Sequence, residues 1–197
     1  MGQRLNIEIA ENGEVLANAY FHWSGFTSSS FKTAQQVLDH LDEVSHENRI
    51  INAVKLLETT GAGLTDEEKE YMLETVPGAD KISFKKAIDR NNGLISISEK
   101  GVDGTRLWED VRVTIDLTSK TVDFQAVFQY NSKEEYKEVC KEECAYPTYE
   151  DINFFSIPFD KFGEVKEFIC GLINQGIYGF QTPSGKVWDF IEIKGAV

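Results

Sequence analysis

The 197-residue chain carries 33 acidic against 20 basic residues, a formal net charge of −13. That excess disfavours nucleic-acid phosphates and anionic lipid and favours a basic protein surface as partner. Length, 41% hydrophobic content and 27% charged content suit one folded unit, so residues 1–197 are expected to form a single domain.

Residues Gln3 to Trp23 read as a β-hairpin around Asn12-Gly13. A two-residue loop would pair Ile7 with Asn18 and Leu5 with Tyr20, whereas a three-residue loop, Glu11-Asn12-Gly13, pairs Ile9 with Val15, Ile7 with Ala17 and Leu5 with Ala19; the latter gathers the apolar side chains on one face, so burial favours it. The other face then carries Arg4, Asn6, Glu8, Asn18, Tyr20 and His22. Two helices follow. Ala34, Val37, Leu38, Leu41 and Val44 recur at helical spacing behind a capping box of Thr33 and Gln36. Ile50, Ala53, Val54 and Leu57 mark the second, which stops before Gly61 and Gly63. A short acidic helix starts at Thr65, with Glu68 completing another box.

Strands come next. Lys81–Ile88 and Leu94–Ser98 flank a loop at 89–93. Leu107, Val111, Val113, Ile115 and Leu117 alternate with polar residues, and Val122, Phe124, Ala126, Phe128 and Tyr130 repeat the pattern after a turn near Ser119-Lys120. Ser132 with Glu135 caps a helix to about Cys144. Asn153 to Phe159 reads as a buried strand. Asp160 opens an amphipathic helix with Phe162, Val165, Phe168, Ile169 and Leu172 on one stripe, and a hairpin from Tyr178 to Ile193 closes the chain. Hairpins dominate this order, which predicts an α+β fold with a mainly antiparallel sheet covered by helices.

Catalytic signatures are lacking. The segment Tyr20 to Phe31 leaves a strand and enters a helix, with Tyr20, His22 and Trp23 beside the hydroxyls of Ser28, Ser29 and Ser30. Aromatic rings stack on flat ligands, and the N–H groups of a helix start favour anions. A binder or hydrolase of a phosphorylated or nucleotide-like small molecule is therefore one reading of these six residues. Neither a Walker-type nor a dinucleotide-type glycine loop accompanies them. Cys140 and Cys144 lie one helical turn apart and Cys170 lies further on. They sit on apolar stripes, where free cysteine packs as a small hydrophobe, so neither metal nor cofactor is expected. Asp116 and Asp123 are candidates to face each other across a hairpin. The pairs Glu134-Glu135 and Glu142-Glu143 share one predicted helix and offer a contact surface for a basic partner.

Three cysteines, an odd number, argue against a disulfide framework. The start of the chain lacks a basic-then-apolar signal, and apolar runs fall short of the ~20 residues that span a bilayer. A cytoplasmic protein without a membrane segment is the expectation.

The stretch Asn12 to Trp23, with Asn91-Asn92-Gly93-Leu94-Ile95-Ser96, resembles small acidic proteins of Gram-positive phages and mobile elements. The resemblance covers about a sixth of the chain and transfers no site residues. It implies an accessory protein, including one that inhibits a host defence protein. The order of elements is also distantly similar to the N-terminal-nucleophile hydrolases, but Met1-Gly2 supplies no nucleophile for that chemistry. The leading expectation is a non-enzymatic interaction protein with an acidic working surface.

Overall fold

The computed structural model describes residues 4–24, 28–83, 93–97, 111–126 and 155–174. The strands are β1 (Leu5–Glu11), β2 (Glu14–Phe21), β3 (Gly63–Leu64), β4 (Leu94–Ile97), β5 (Val111–Asp116), β6 (Thr121–Ala126) and β7 (Phe155–Pro158). The helices are α1 (Ser28–Asp39), α2 (Arg49–Glu58), α3 (Asp66–Thr75) and α4 (Phe159–Asn174). The predicted helix ending near Cys144, the closing hairpin and the flanks of the predicted strands at 84–88, 107–110 and 127–130 lie outside the described residues.

All seven strands join one sheet in the order β3-β4-β2-β1-β5-β6-β7. The α+β class stands, but the expectation of a mainly antiparallel sheet is corrected: the sheet is mixed. Strand β1 runs parallel to β5, and β3 runs parallel to β4. Hairpin reasoning finds partners that are neighbours in sequence, whereas these parallel pairs join distant segments through long connections.

The first hairpin corrects the predicted register. Asn12 and Gly13 hold φ of 53° and 80°, the left-handed pair of a two-residue turn, so Glu11 pairs with Glu14 and Ala10 with Val15. A bulge then skips Leu16, after which Ile9 meets Ala17, Ile7 meets Ala19 and Leu5 meets Phe21. The turn follows local Asn-Gly preference, and the bulge restores the apolar alignment that burial requires. Helix α1 also departs from expectation. It begins at Ser28, so Thr33 lies inside it and donates its hydroxyl to the Ser29 carbonyl at 2.8 Å rather than capping it. Thr65 does cap α3, accepting from the Glu68 N–H at 3.1 Å. Lys81 belongs to a short 3-10 turn, Ala79–Lys81, not to a strand.

The sheet's apolar face is built from cross-strand rows. One row runs Leu64–Ile95–Ala19–Ile7–Val113–Phe124, and the next runs Ile97–Ala17–Ile9–Ile115–Val122–Ile157. Alternation at period two along each strand puts these side chains on one side. Helix α2 packs against β2 and β4, while α4 packs against α1, β6 and β7. Gly93 leads into β4 where a Cβ would come within 2.5 Å of the Phe21 ring, so only glycine fits that crossing.

Three rings key the helices to the sheet. Phe31 of α1 stacks on Phe124 of β6 with centroids 4.4 Å apart, and Phe162 of α4 lies 6.2 Å from Phe124 at 9°. All three are buried. Phe124 touches both helices at once, so Phe124→Ala should lower unfolding free energy by about 3–5 kcal/mol in urea titrations. A loss below ~1 kcal/mol would show that the stack does not hold α1 and α4 to the sheet.

Candidate functional site

The aromatic residues singled out in the sequence come together at the end of β2. The Tyr20 hydroxyl and His22 Nδ1 share a hydrogen bond at 2.8 Å, and the Trp23 ring stands edge-on to His22 with centroids 4.8 Å apart. Trp23 is 57% exposed. Ser28 opens α1, the Ser29 carbonyl accepts from Thr33, and Ser30 is fully buried. Its hydroxyl is therefore not offered to solvent. Glu134, Glu135, Glu142 and Glu143 lie outside the described residues, as do Cys140 and Cys144. Asp116 and Asp123 do not oppose each other: Asp116 pairs with Thr121, and Asp123 with Thr114. The Asp123 carboxylate instead accepts a 2.5 Å hydrogen bond from Ser156.

The other side of the sheet is polar and, at its centre, buried. The row Ser96–Asn18–Glu8–Thr114–Asp123–Ser156 crosses six strands. Asn6 and Asn18 are fully buried, and Glu8 is 2% exposed. The sequence reading placed these residues on the face opposite the core without expecting burial. The Glu8 carboxylate lies 3.8 Å from Arg112 Nε and accepts from the Thr114 hydroxyl at 3.4 Å. A buried carboxylate needs such partners, because an unpaired charge out of water is strongly destabilising.

A cleft of about 480 Å³ opens where the first hairpin, the β5–β6 turn and the starts of α2 and α4 converge. Leu16, Leu41, Val44, Leu56, Leu117 and Phe159 form its buried and half-buried wall, while Asp42, His46, Arg49 and Lys120 line it from exposed positions. Two interactions fix its shape. Arg49 Nε binds Glu11 at 2.7 Å and its terminal nitrogen binds Glu14 at 3.0 Å, tying α2 to the hairpin. The Asn12 N–H donates to the Thr118 hydroxyl at 2.6 Å, tying one turn to the other. Sequence reasoning missed this cleft because its walls come from separate stretches of chain, none with a motif of its own.

The acidic helix α3 is the third surface of interest. Asp66, Glu67, Glu70 and Glu74 are exposed, and Leu73 among them is 51% exposed. Lys69 is engaged by Asp66 at 3.0 Å. Among the described residues, no group of three or more His, Cys, Asp or Glu could hold a metal ion, and no helix is long and apolar enough to cross a membrane.

Comparison of the chain with family models, with curated proteins and with solved structures finds no match.

The turn bordering the cleft carries a charge-dependent lock. Partial burial pushes the Asp116 carboxyl up, but hydrogen bonds from Thr118 and Ser119 outweigh it and hold the group below its ordinary value of 3.8. Its Oδ1 accepts from the Thr118 N–H at 2.7 Å and the Ser119 N–H at 3.3 Å. A depressed folded-state pKa adds stability that is present above the ordinary value and lost as pH falls through the folded one. Asp116→Asn should therefore be less stable than the parent at pH 7, with the gap closing as pH drops below about 4. Denaturation at both pH values checks this, and a gap independent of pH would contradict it.

Proposed function

We propose that the chain is a non-enzymatic interaction protein whose acidic surface engages a basic patch on a protein partner. The observation that carries this reading is the composition of α3. Acids in the first turn of a helix stabilise it against the macrodipole, which accounts for Asp66, Glu67 and Glu68. The same argument disfavours Glu74 in the last turn, and Glu70 with Glu74 makes a like-charge i,i+4 pair that weakens the helix. Helix stability thus does not explain the acids around the exposed Leu73. An exposed apolar residue beside Glu70 and Glu74, with Lys69 held by Asp66, is instead suited to a complementary interface, where the charges steer encounter and the apolar contact slows release.

The resemblance to phage and mobile-element proteins supports a host protein as the partner, including a component of a defence system, encountered in the cytoplasm. In this reading Glu134, Glu135, Glu142 and Glu143 extend the acidic surface.

A second reading, a small phosphorylated or nucleotide-like ligand held at Tyr20, His22 and Trp23, draws on the exposed, hydrogen-bonded ring cluster at the end of β2. Native mass spectrometry of protein expressed in its natural host separates the two, since the first predicts a bound protein and the second a retained small molecule. With the bound protein in hand, reversing Glu67, Glu70 and Glu74 to lysine should slow association by about tenfold or more at low salt, with the parent rate falling as salt rises. Association that is insensitive both to salt and to the triple reversal would sink the proposal.

A further inference from the structure

The cleft beside the β5–β6 turn has a chemistry that the acidic-surface reading does not use. Acids outnumber Lys and Arg by 33 to 20 across the chain. Along the cleft the two signs are even, with Arg49 and Lys120 against Glu11 and Asp42. Arg49 is already engaged by the carboxylates of Glu11 and Glu14. Lys120 is exposed and, among the described residues, has no ion-pair partner.

Lys120 also sits in a backbone conformation that its own chemistry does not favour. Its φ is +57°, in the left-handed region where glycine or asparagine is the usual occupant and other residues are held at a cost. The Phe159 N–H donates to the Lys120 carbonyl at 3.0 Å, fastening this turn to the start of α4. Glycine would relieve the conformation, so turn geometry gives no reason for a lysine there.

We propose that this cleft binds a small organic acid with an apolar body and a single carboxylate head. Leu16, Leu41, Leu56, Leu117 and Phe159 receive the body, and the Lys120 ammonium receives the head. The cleft's volume, about 480 Å³, falls within the roughly 300–1,000 Å³ range of small-molecule sites. One free ammonium matches a monoanion. A phosphate dianion is better served by a bidentate guanidinium, and Arg49 is already committed.

The test uses the full chain, decanoate as probe and decyltrimethylammonium as the same body with a cationic head, followed by calorimetry. Decanoate should bind at sub-millimolar to millimolar concentration and more tightly than the ammonium compound. Lys120→Gly is the decisive variant. Glycine accepts positive φ without strain, so its stability to urea should equal or exceed that of the parent while decanoate binding weakens by about tenfold or more. Unchanged decanoate affinity in Lys120→Gly, preference for the cationic probe, or no binding of decanoate at millimolar concentration would each overturn the assignment. None of these outcomes bears on α3, so the cleft and the acidic surface stand or fall separately.

Discussion

Glu8 lies at 2% exposure in the middle of a seven-stranded sheet, on a strand whose alternate residues Leu5, Ile7 and Ile9 are fully buried on the opposite face. Strand β1 is therefore enclosed on both sides, and one of those sides is polar. A buried carboxylate is tolerated only when charged or hydrogen-bonding groups reach it. Arg112 and Thr114 reach Glu8 because β5 runs parallel to β1 in the register that sets Glu8 against Thr114 and Asn6 against Arg112. A slip of one residue would turn Arg112 to the apolar face and Val113 toward the carboxylate. The polar row thus demands one register, and the same register aligns the apolar rows that α1 and α4 cover.

The surfaces available for function follow from this frame. With β1 and β5 parallel, their carboxyl ends lie together, and the turns that follow them meet at the Asn12–Thr118 hydrogen bond. The cleft opens beyond those ends. Arg49 reaches back from α2 to the first hairpin, and Phe159 carries the start of α4 to the second turn. Helix α3 lies toward the other margin of the sheet, packed against β3 and β4, where its charged side is free to face solvent.

Much of this was legible in the sequence where the signal is local. Alternation located β5 and β6, Thr65 marked the start of α3, and the stripe containing Phe162 and Val165 identified the buried side of α4. Asn12-Gly13 marked the first turn, but the reading allowed a single register for the whole hairpin, whereas the chain satisfies both turn and core by leaving Leu16 in a bulge. The parallel pairs escaped because nothing near Leu5 reports on Val111, more than a hundred residues away. Burial of Asn6, Glu8 and Asn18 escaped for a related reason. Alternating polar residues look the same whether water or protein covers them, and buried parallel strands more often read as continuous apolar runs. Tyr20, His22 and Trp23 are near one another in sequence and meet at the end of β2, whereas Lys120 carried no signal beyond its place in a turn.

The parallel register of β1 and β5 is the claim on which the rest depends, and nuclear Overhauser contacts between backbone protons of the two strands measure it directly. The account predicts contacts linking Leu5 with the vicinity of Val111, Ile7 with that of Val113, and Ile9 with that of Ile115, rising together along both strands. Contacts running in the opposite sense, Leu5 with Ile115 and Ile9 with Val111, or none between the strands, would contradict it.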